Sequence, residues 1–339
     1  MTEPAPLAEA ADAVAPEGGE AFWFEAADGA RLRGAVWRPP GTARGTVVLL
    51  HGRTEFIEKY YEVIGELLGR GLAVASMDWR GQGLSVRETE NPLKGHIDDF
   101  GAFLDDLAEF LRCLAKRALP EPWIGLAHSM GGNVVLRWLA CQGQGAAPAA
   151  GLPKLRAAAL AAPMIGLKLT GPVYLAMRML CFAADAVGLG GRYLPGGSNV
   201  QATGRERFEA NIVTSDPRRY ARLEALVTAD PRLALASPTC GWGAAAAESM
   251  DAVGAPGVPE AIDVPVLIAG AGKDMVADTR LMPDYAQRLP YGRYLACPDA
   301  RHEILMERDD IRAAFWRAFD ALIDEVAPRP PARDASDSS

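Results

Sequence analysis

Three residues whose types could together perform acyl chemistry stand far apart in this chain: Ser129, Asp274 and His302. The serine lies in "LAHSMGG", residues 126–132, a stretch that is apolar before and after, with Gly131 two residues beyond it. A surface loop could carry such a stretch without consequence. Here "WIGLAHS" has the pattern of a buried strand and "MGGNVVLRW" that of a helix, so Ser129 falls at a strand-to-helix junction. A sharp turn at that junction holds a serine in a strained backbone conformation and lifts its hydroxyl above the carboxyl edge of a sheet. Open α/β sheets bind their ligands at that edge. Gly131 then lets the helix begin close against the strand end. Ala127 stands where the pattern G-x-S-x-G has its first glycine, and its small methyl predicts a tight fit with the chemistry retained.

A serine hydroxyl is a poor nucleophile at neutral pH and needs a base. The chain has four histidines. His51 ends a strand in "LLHG", His96 lies in "KGHIDDF", and His128 adjoins the serine but points elsewhere on the turn. His302, in "PDARHEIL", follows the last expected strand and precedes the last helix, so its loop should emerge at the same sheet edge as Ser129. Read instead as a cap of the final helix, His302 would leave the serine without a base. The imidazole in turn needs an acceptor on its other nitrogen. "VLIAGAGKDMVAD" offers Asp274 and Asp278; Asp274 is nearer the strand end, whereas Asp278 suits the cap of a helix beginning near Thr279. The order Ser129, Asp274, His302 is the chain order that goes with this type of turn. Donors for a developing oxyanion are expected from the backbone N–H of Met130, directly after the serine, and of Arg53, in the loop after "VVLLHG". "HGRTEF" could also be a plain tight turn with His51 as a satisfied core group. Both readings can hold, since only backbone is used.

The elements that must position these residues alternate along the chain. "ARGTVVLLHG" is a buried strand, "YYEVIGELLGRG" a helix stopped at Gly71, and "LAVASMDWRG" the next strand. "FGAFLDDLAEFLRCLAKRAL" is an amphipathic helix and "LRAAALAAPM" another strand. This rhythm predicts a mostly parallel sheet flanked by helices on both faces. "AFWFEAADGARLRGAVWRP" predicts a hairpin on the antiparallel edge. The rhythm breaks over residues 164–260, read as an inserted helical cap. It resumes with "VPVLIAGAGKD" and "GRYLACPDARHE" and closes on the helix "DIRAAFWRAFDALIDEV". The domain division is therefore a core of residues 21–163 and 261–327, with disordered segments at 1–20 and 328–339.

Composition narrows the functional classes. The 339 residues are 49% hydrophobic and carry a net charge of −8, which suits a buried core and argues against a nucleic-acid partner. Five scattered cysteines without CxxC spacing suggest neither a disulfide framework nor a zinc site, and a reducing cytoplasm is the expected location. "GPVYLAMRMLCFAADAVGLGG", residues 171–191, is interrupted by Arg178 and Asp185 and predicts a buried or lid helix in place of a membrane span. Its segment "YLAMRMLCF" suits an acyl pocket and core packing equally. In "MDWRGQGLS", Asp78 and Arg80 are expected to be structural, and "GQG" lacks the helix and lysine of a phosphate loop. Asp105 and Asp106 are expected on a solvated helix face, and "RERFEANIVTSDPRRYARLEAL" on an exposed mixed-charge surface, with a phosphate-headgroup patch as the sharper alternative.

With these motifs in hand, the sequence resembles the α/β-hydrolase superfamily, within it the serine hydrolases grouped as lysophospholipases and monoacylglycerol lipases. "LLHGRTEFIEKYYEVIGELLGRG", "MDWRGQGLS", "LAHSMGG", "GKDMVAD" and "ARHEIL" follow that group's signatures in order across about residues 20–326. "GRTEFIEKY" and "ARHEIL" point to its bacterial lysophospholipases. The resemblance implies Ser129 as nucleophile, Asp274 as acid, His302 as base, and Arg53 and Met130 as oxyanion donors, with no metal or organic cofactor. It implies hydrolysis of a single-chain lipid ester: lysophospholipid first, monoacylglycerol or a generic carboxylic ester next. A transient membrane-surface contact through the cap fits such a substrate, and no obligate protein partner is implied. An acyltransferase, a cofactor-free haloperoxidase or a binding module on the same fold are the readings from other classes.

Overall fold

The computed structural model describes residues 3–200 and 208–329. The expected tail at 328–339 and the start of "RERFEAN" therefore lie largely outside the described residues. An eight-stranded sheet forms the centre, in the order β1-β2-β4-β3-β5-β6-β7-β8. Its strands are β1 (Glu20–Glu25), β2 (Arg31–Trp37), β3 (Thr46–Leu50), β4 (Ala73–Met77), β5 (Trp123–His128), β6 (Leu155–Ala161), β7 (Val266–Ala271) and β8 (Gly292–Cys297). The pairs β1–β2 and β2–β4 are antiparallel and the remaining pairs parallel. The helices are α1 (Tyr61–Gly69), α2 (Gly101–Ala115), α3 (Ser129–Gln144), α4 (Gly171–Ala186), α5 (Pro217–Ala229), α6 (Cys240–Gly254), α7 (Met282–Arg288) and α8 (Asp309–Val326). Every residue of β3, β4, β5 and β7 is buried, which is why those segments are continuous apolar runs with no alternation. The expected hairpin is β1–β2, turned through Gly29 at φ 82°.

Between β6 and β7 lie α4, α5 and α6. α6 packs on the core, with Ala246, Met250 and Val253 in the main apolar cluster and Ser249 Oγ donating to Asn133 Oδ1 of α3 at 2.6 Å. α5 is tied by charge: Arg219 meets Glu62 of α1 and Asp309 of α8 at 2.6 Å each. The described part of the mixed-charge stretch is thus partly buried, and not merely an exposed surface, because Arg219 and Arg222 meet Glu62 on the core, while Arg218 stays exposed. α4 buries only Cys181, and leaves Val173, Leu175, Met179 and Leu180 exposed. It is a surface helix along most of its length and not a buried one. It is apolar nearly all round, so its periodicity could not name a buried face. Among the described residues no helix is long and apolar enough to cross a membrane.

Two further expectations are corrected. The arm over residues 1–20 is not loose where it is described: Ala8 N donates to Glu58, Tyr61 Oη to the Ala8 carbonyl, Arg33 Nη1 to the Pro6 carbonyl, and Trp37 Nε1 to the Pro16 carbonyl. Its own side chains are small; buried core side chains hold its main chain, which composition cannot reveal. Asp106 is fully buried, not solvated, and takes a two-pronged ion pair from Arg80 at 2.7 and 2.6 Å. Asp78 pairs with Arg33 instead of its neighbour Arg80. Both remain structural, as expected, but with different partners.

Candidate active site

β5 ends at His128 and α3 begins at Ser129, whose φ of 48° lies in the left-handed region that a non-glycine residue rarely adopts. The neighbours enforce it. A Cβ on Gly131 would stand 2.5 Å from the His51 carbonyl oxygen and 2.6 Å from that of Leu50, so only glycine lets α3 start this close to the end of β3. Ala127 is fully buried and stands between Leu50 of β3 and Leu160 of β6 in the sheet, so its methyl is accommodated. The Ser129 carbonyl accepts from Met164 N at 2.9 Å, which fixes the turn from the side of β6.

The loops after β7 and β8 bring the other two residues to this spot. Ser129 Oγ lies 2.9 Å from His302 Nε2, and His302 Nδ1 lies 2.7 Å from Asp274 Oδ2. Asp274 Oδ1 accepts from Val276 N (2.7 Å) and Ala277 N (2.9 Å), so both carboxylate oxygens are engaged. Burial opposes the Asp274 charge, yet the His302 contact and these two N–H groups outweigh it and lower its pKa. A carboxylate so held is an acceptor that orients the imidazole with Nδ1–H inward and leaves Nε2 facing the hydroxyl. That arrangement can draw the hydroxyl proton as oxygen attacks an electrophilic carbon. Ser129 is 8% and His302 5% exposed, so the group is shielded from water.

Asp278, the other candidate acid, instead caps the turn that starts at Thr279, accepting from Arg280 N. His51 is fully buried; its Nδ1 lies 2.7 Å from the Gly52 carbonyl, and burial lowers its pKa. His96 meets Thr239 Oγ1 at 2.7 Å and Asp98 at 3.0 Å. Neither approaches the serine in any of these contacts. Met130 lies in the first turn of α3, where main-chain N–H groups have no acceptor within the helix. Arg53 follows Gly52, which is packed so tightly on the turn at Ser129 that a methyl there would lie 3.2 Å from Ser129 Cβ. Gln82 braces this edge, accepting from Thr54 N at 2.6 Å and reaching Met130 Sδ at 3.7 Å.

One part of the site escaped the sequence reading. His128 Nδ1 lies 3.1 Å from Glu55 Oε2 and its Nε2 lies 3.2 Å from the His302 carbonyl, the two imidazole centroids being 4.8 Å apart. Glu55 Oε2 also accepts from Gly52 N (2.5 Å) and Tyr60 Oη (2.8 Å), while Lys59 bridges Glu55 and Glu303 at 2.6 Å each. Burial opposes the His128 charge, but the Glu55 carboxylate outweighs it and raises its pKa. Both ring nitrogens face acceptors, which only the imidazolium satisfies. The single available signal was the glutamate in "HGRTEF", and nothing in its spacing names a partner 73 residues away.

The family model described as Serine aminopeptidase, S33 matches residues 41–309. Lysophospholipase L2 of Escherichia coli (strain K12) is 31% identical over 296 residues, covering 82% of this chain and 79% of that protein. A monoacylglycerol lipase of Mycolicibacterium smegmatis is 33% identical over 115 residues, 34% of this chain and 39% of its own. In fold the chain resembles a soluble variant of Saccharomyces cerevisiae monoglyceride lipase, with TM-score 0.66, 20% identity, and 91% and 97% of the two chains covered. It also resembles a carboxyl esterase from Bacillus coagulans, with TM-score 0.69, 16% identity, and 92% and 100% covered.

Proposed function

The chain belongs to the α/β-hydrolase family described as Serine aminopeptidase, S33, and from that premise we propose that Ser129, His302 and Asp274 are its catalytic residues. It is a serine ester hydrolase of lipid esters. Ser129 Oγ attacks the ester carbonyl while His302 Nε2 takes its proton and Asp274 stabilises the imidazolium. The backbone N–H groups of Met130 and Arg53 receive the negative charge that develops on the carbonyl oxygen. His302 returns the proton to the departing alcohol, then activates a water that releases the acid from Ser129. No step calls for a metal or an organic cofactor.

The observation that most supports this reading is the unbroken chain from Ser129 Oγ through His302 to Asp274, at 2.9 and 2.7 Å. Lysophospholipid is the first substrate we assign, given the likeness to lysophospholipase L2 over most of both chains, with monoacylglycerol second. The exposed apolar face of α4 supports a transient contact with a lipid surface. The five unpaired cysteines support a reducing, cytoplasmic setting.

Ser129→Ala is expected to lower kcat on a chromogenic acyl ester by roughly 10⁴-fold or more with the fold retained, as seen when a nucleophile is removed from such a triad. Full activity in that variant would overturn the assignment. Turnover of lysophosphatidylcholine, monoolein and a short-chain ester by the wild type tests the substrate class, and highest efficiency on the short ester would defeat the lipid reading.

A further inference from the structure

Several buried arginines of this protein face carboxylates. Arg33 meets Glu58 and Asp78, Arg80 meets Asp106, Arg219 meets Glu62 and Asp216, and Arg312 meets Glu66. Arg53 is built differently. Its backbone lies in the loop beside Ser129, and its side chain runs from there toward the start of α6. Nη2 donates to the Ala236 carbonyl at 2.5 Å and Nη1 to Thr54 Oγ1 at a long 3.3 Å. The guanidinium stands 5.3 Å from the centre of the Trp242 ring. Nε is buried without a partner, and among the described residues no carboxylate forms an ion pair with this side chain. Gly95 makes the space: a Cβ there would lie 2.5 Å from Nη2. Burial pulls the guanidinium pKa down to about 10, which still leaves it charged at neutral pH.

A desolvated cation with an unmade hydrogen bond is costly to keep unless something completes it. We propose that the Arg53 side chain is an anion subsite of the active centre, which takes the phosphodiester of a lysophospholipid while the same residue's N–H serves the ester carbonyl. The inference rests on the lipid-ester reading above and narrows it. In a lysophospholipid the phosphate is one glyceryl backbone away from the ester carbonyl, a span comparable to an extended arginine side chain. A monoacylglycerol of the same acyl chain differs by placing a hydroxyl there. The planar guanidinium donates to phosphate oxygens through a fixed fork, and one such charge-assisted bond discriminates strongly between the two.

The test is the ratio of kcat/KM for oleoyl lysophosphatidylcholine to that for monoolein, measured on the purified full chain. Any loss through the oxyanion loop is common to both esters and cancels in the ratio. Arg53→Met is expected to lower the ratio by about tenfold or more, the size of one charge-assisted hydrogen bond, mainly through KM. Arg53→Lys should fall between Met and wild type. An unchanged ratio, or a Lys variant no better than Met, would overturn the proposal and leave Arg53 as a strut between the loop and α6. A second arm does not depend on lipid turnover: inhibition of short-ester hydrolysis by sn-glycero-3-phosphocholine and by inorganic phosphate. If the wild type turns over neither lipid yet glycerophosphocholine inhibits through Arg53, the subsite stands and the lipid substrate falls. If inorganic phosphate inhibits as strongly as glycerophosphocholine, the site belongs to the free ion and the headgroup assignment fails. Should Arg53→Met not fold, the Lys variant and the wild-type inhibition still decide.

Discussion

His128 sets a second imidazole beside the proposed base, and its protonation is legible in the bonds around it. With Glu55 on one nitrogen and the His302 carbonyl on the other, the folded state favours the charged ring, and the pKa is raised. A raised histidine pKa means the folded protein binds a proton more tightly than the unfolded one. The stabilisation is therefore complete below the ordinary imidazole value of about 6.5 and fades as pH rises through the folded-state value. Lys59 and Glu303 share the cluster and the Glu55 pKa is lowered well below the usual range, so Glu55 stays ionised across that window. Thermal unfolding of wild type and His128→Gln from about pH 5.5 to about pH 9 should show a gap that narrows toward alkaline pH. A gap constant across the series would mean the His128 pKa is the same in the folded and unfolded states, and a gap that widens toward alkaline pH would mean the ring is neutral in the fold. The residue scale also divides what the sequence could reveal from what it could not. Ser129, Asp274 and His302 each follow the carboxyl end of a strand, the last two in its loop, where type and position together narrow the choice. Glu55 and His128 are recognisable only once the loop after β3 and the end of β5 lie side by side.

At the scale of elements, the junction of β5 with α3 depends on how near α3 comes to β3. Gly131→Ala drives a methyl into two backbone oxygens that cannot swing aside, so α3 must shift and the serine with it. Overpacking of this kind costs about 1–3 kcal/mol, and the expected result is a clear fall in melting temperature together with a larger proportional loss of esterase activity. A variant with unchanged activity would show that the turn has slack. The strands and helices themselves were mostly readable, because buried parallel strands are continuous apolar runs and the core helices carry one apolar stripe. Asp106 shows the limit. It lies three residues after Phe103 and four before Phe110, both buried, so helical spacing already put it on the inward face. Its charge argued for solvent, and only the arrival of Arg80 from a distant loop reverses that argument.

Across the whole molecule, α4 buries only Cys181, in a small cluster with Cys240 and Ala244, and leaves Val173, Leu175, Met179 and Leu180 exposed. Leu175 is 57% and Met179 64% exposed, so acidic replacements there can be made without opening the core. Leu175→Glu with Met179→Glu is expected to cut the protein recovered with sedimented phosphatidylcholine vesicles by roughly tenfold, on the scale of moving two large apolar side chains back into water. Equal recovery of both proteins would remove α4 from the lipid contact. The N-terminal arm joins distant parts of the same body: its main chain caps Arg33, Glu58, Tyr61 and Trp37, and its Ala13 packs with Leu223 and Leu226 of α5. What composition marks as a disordered arm is a strap across the buried Arg33–Glu58 ion pair, and a shortened chain starting at the first strand would open that pair to water.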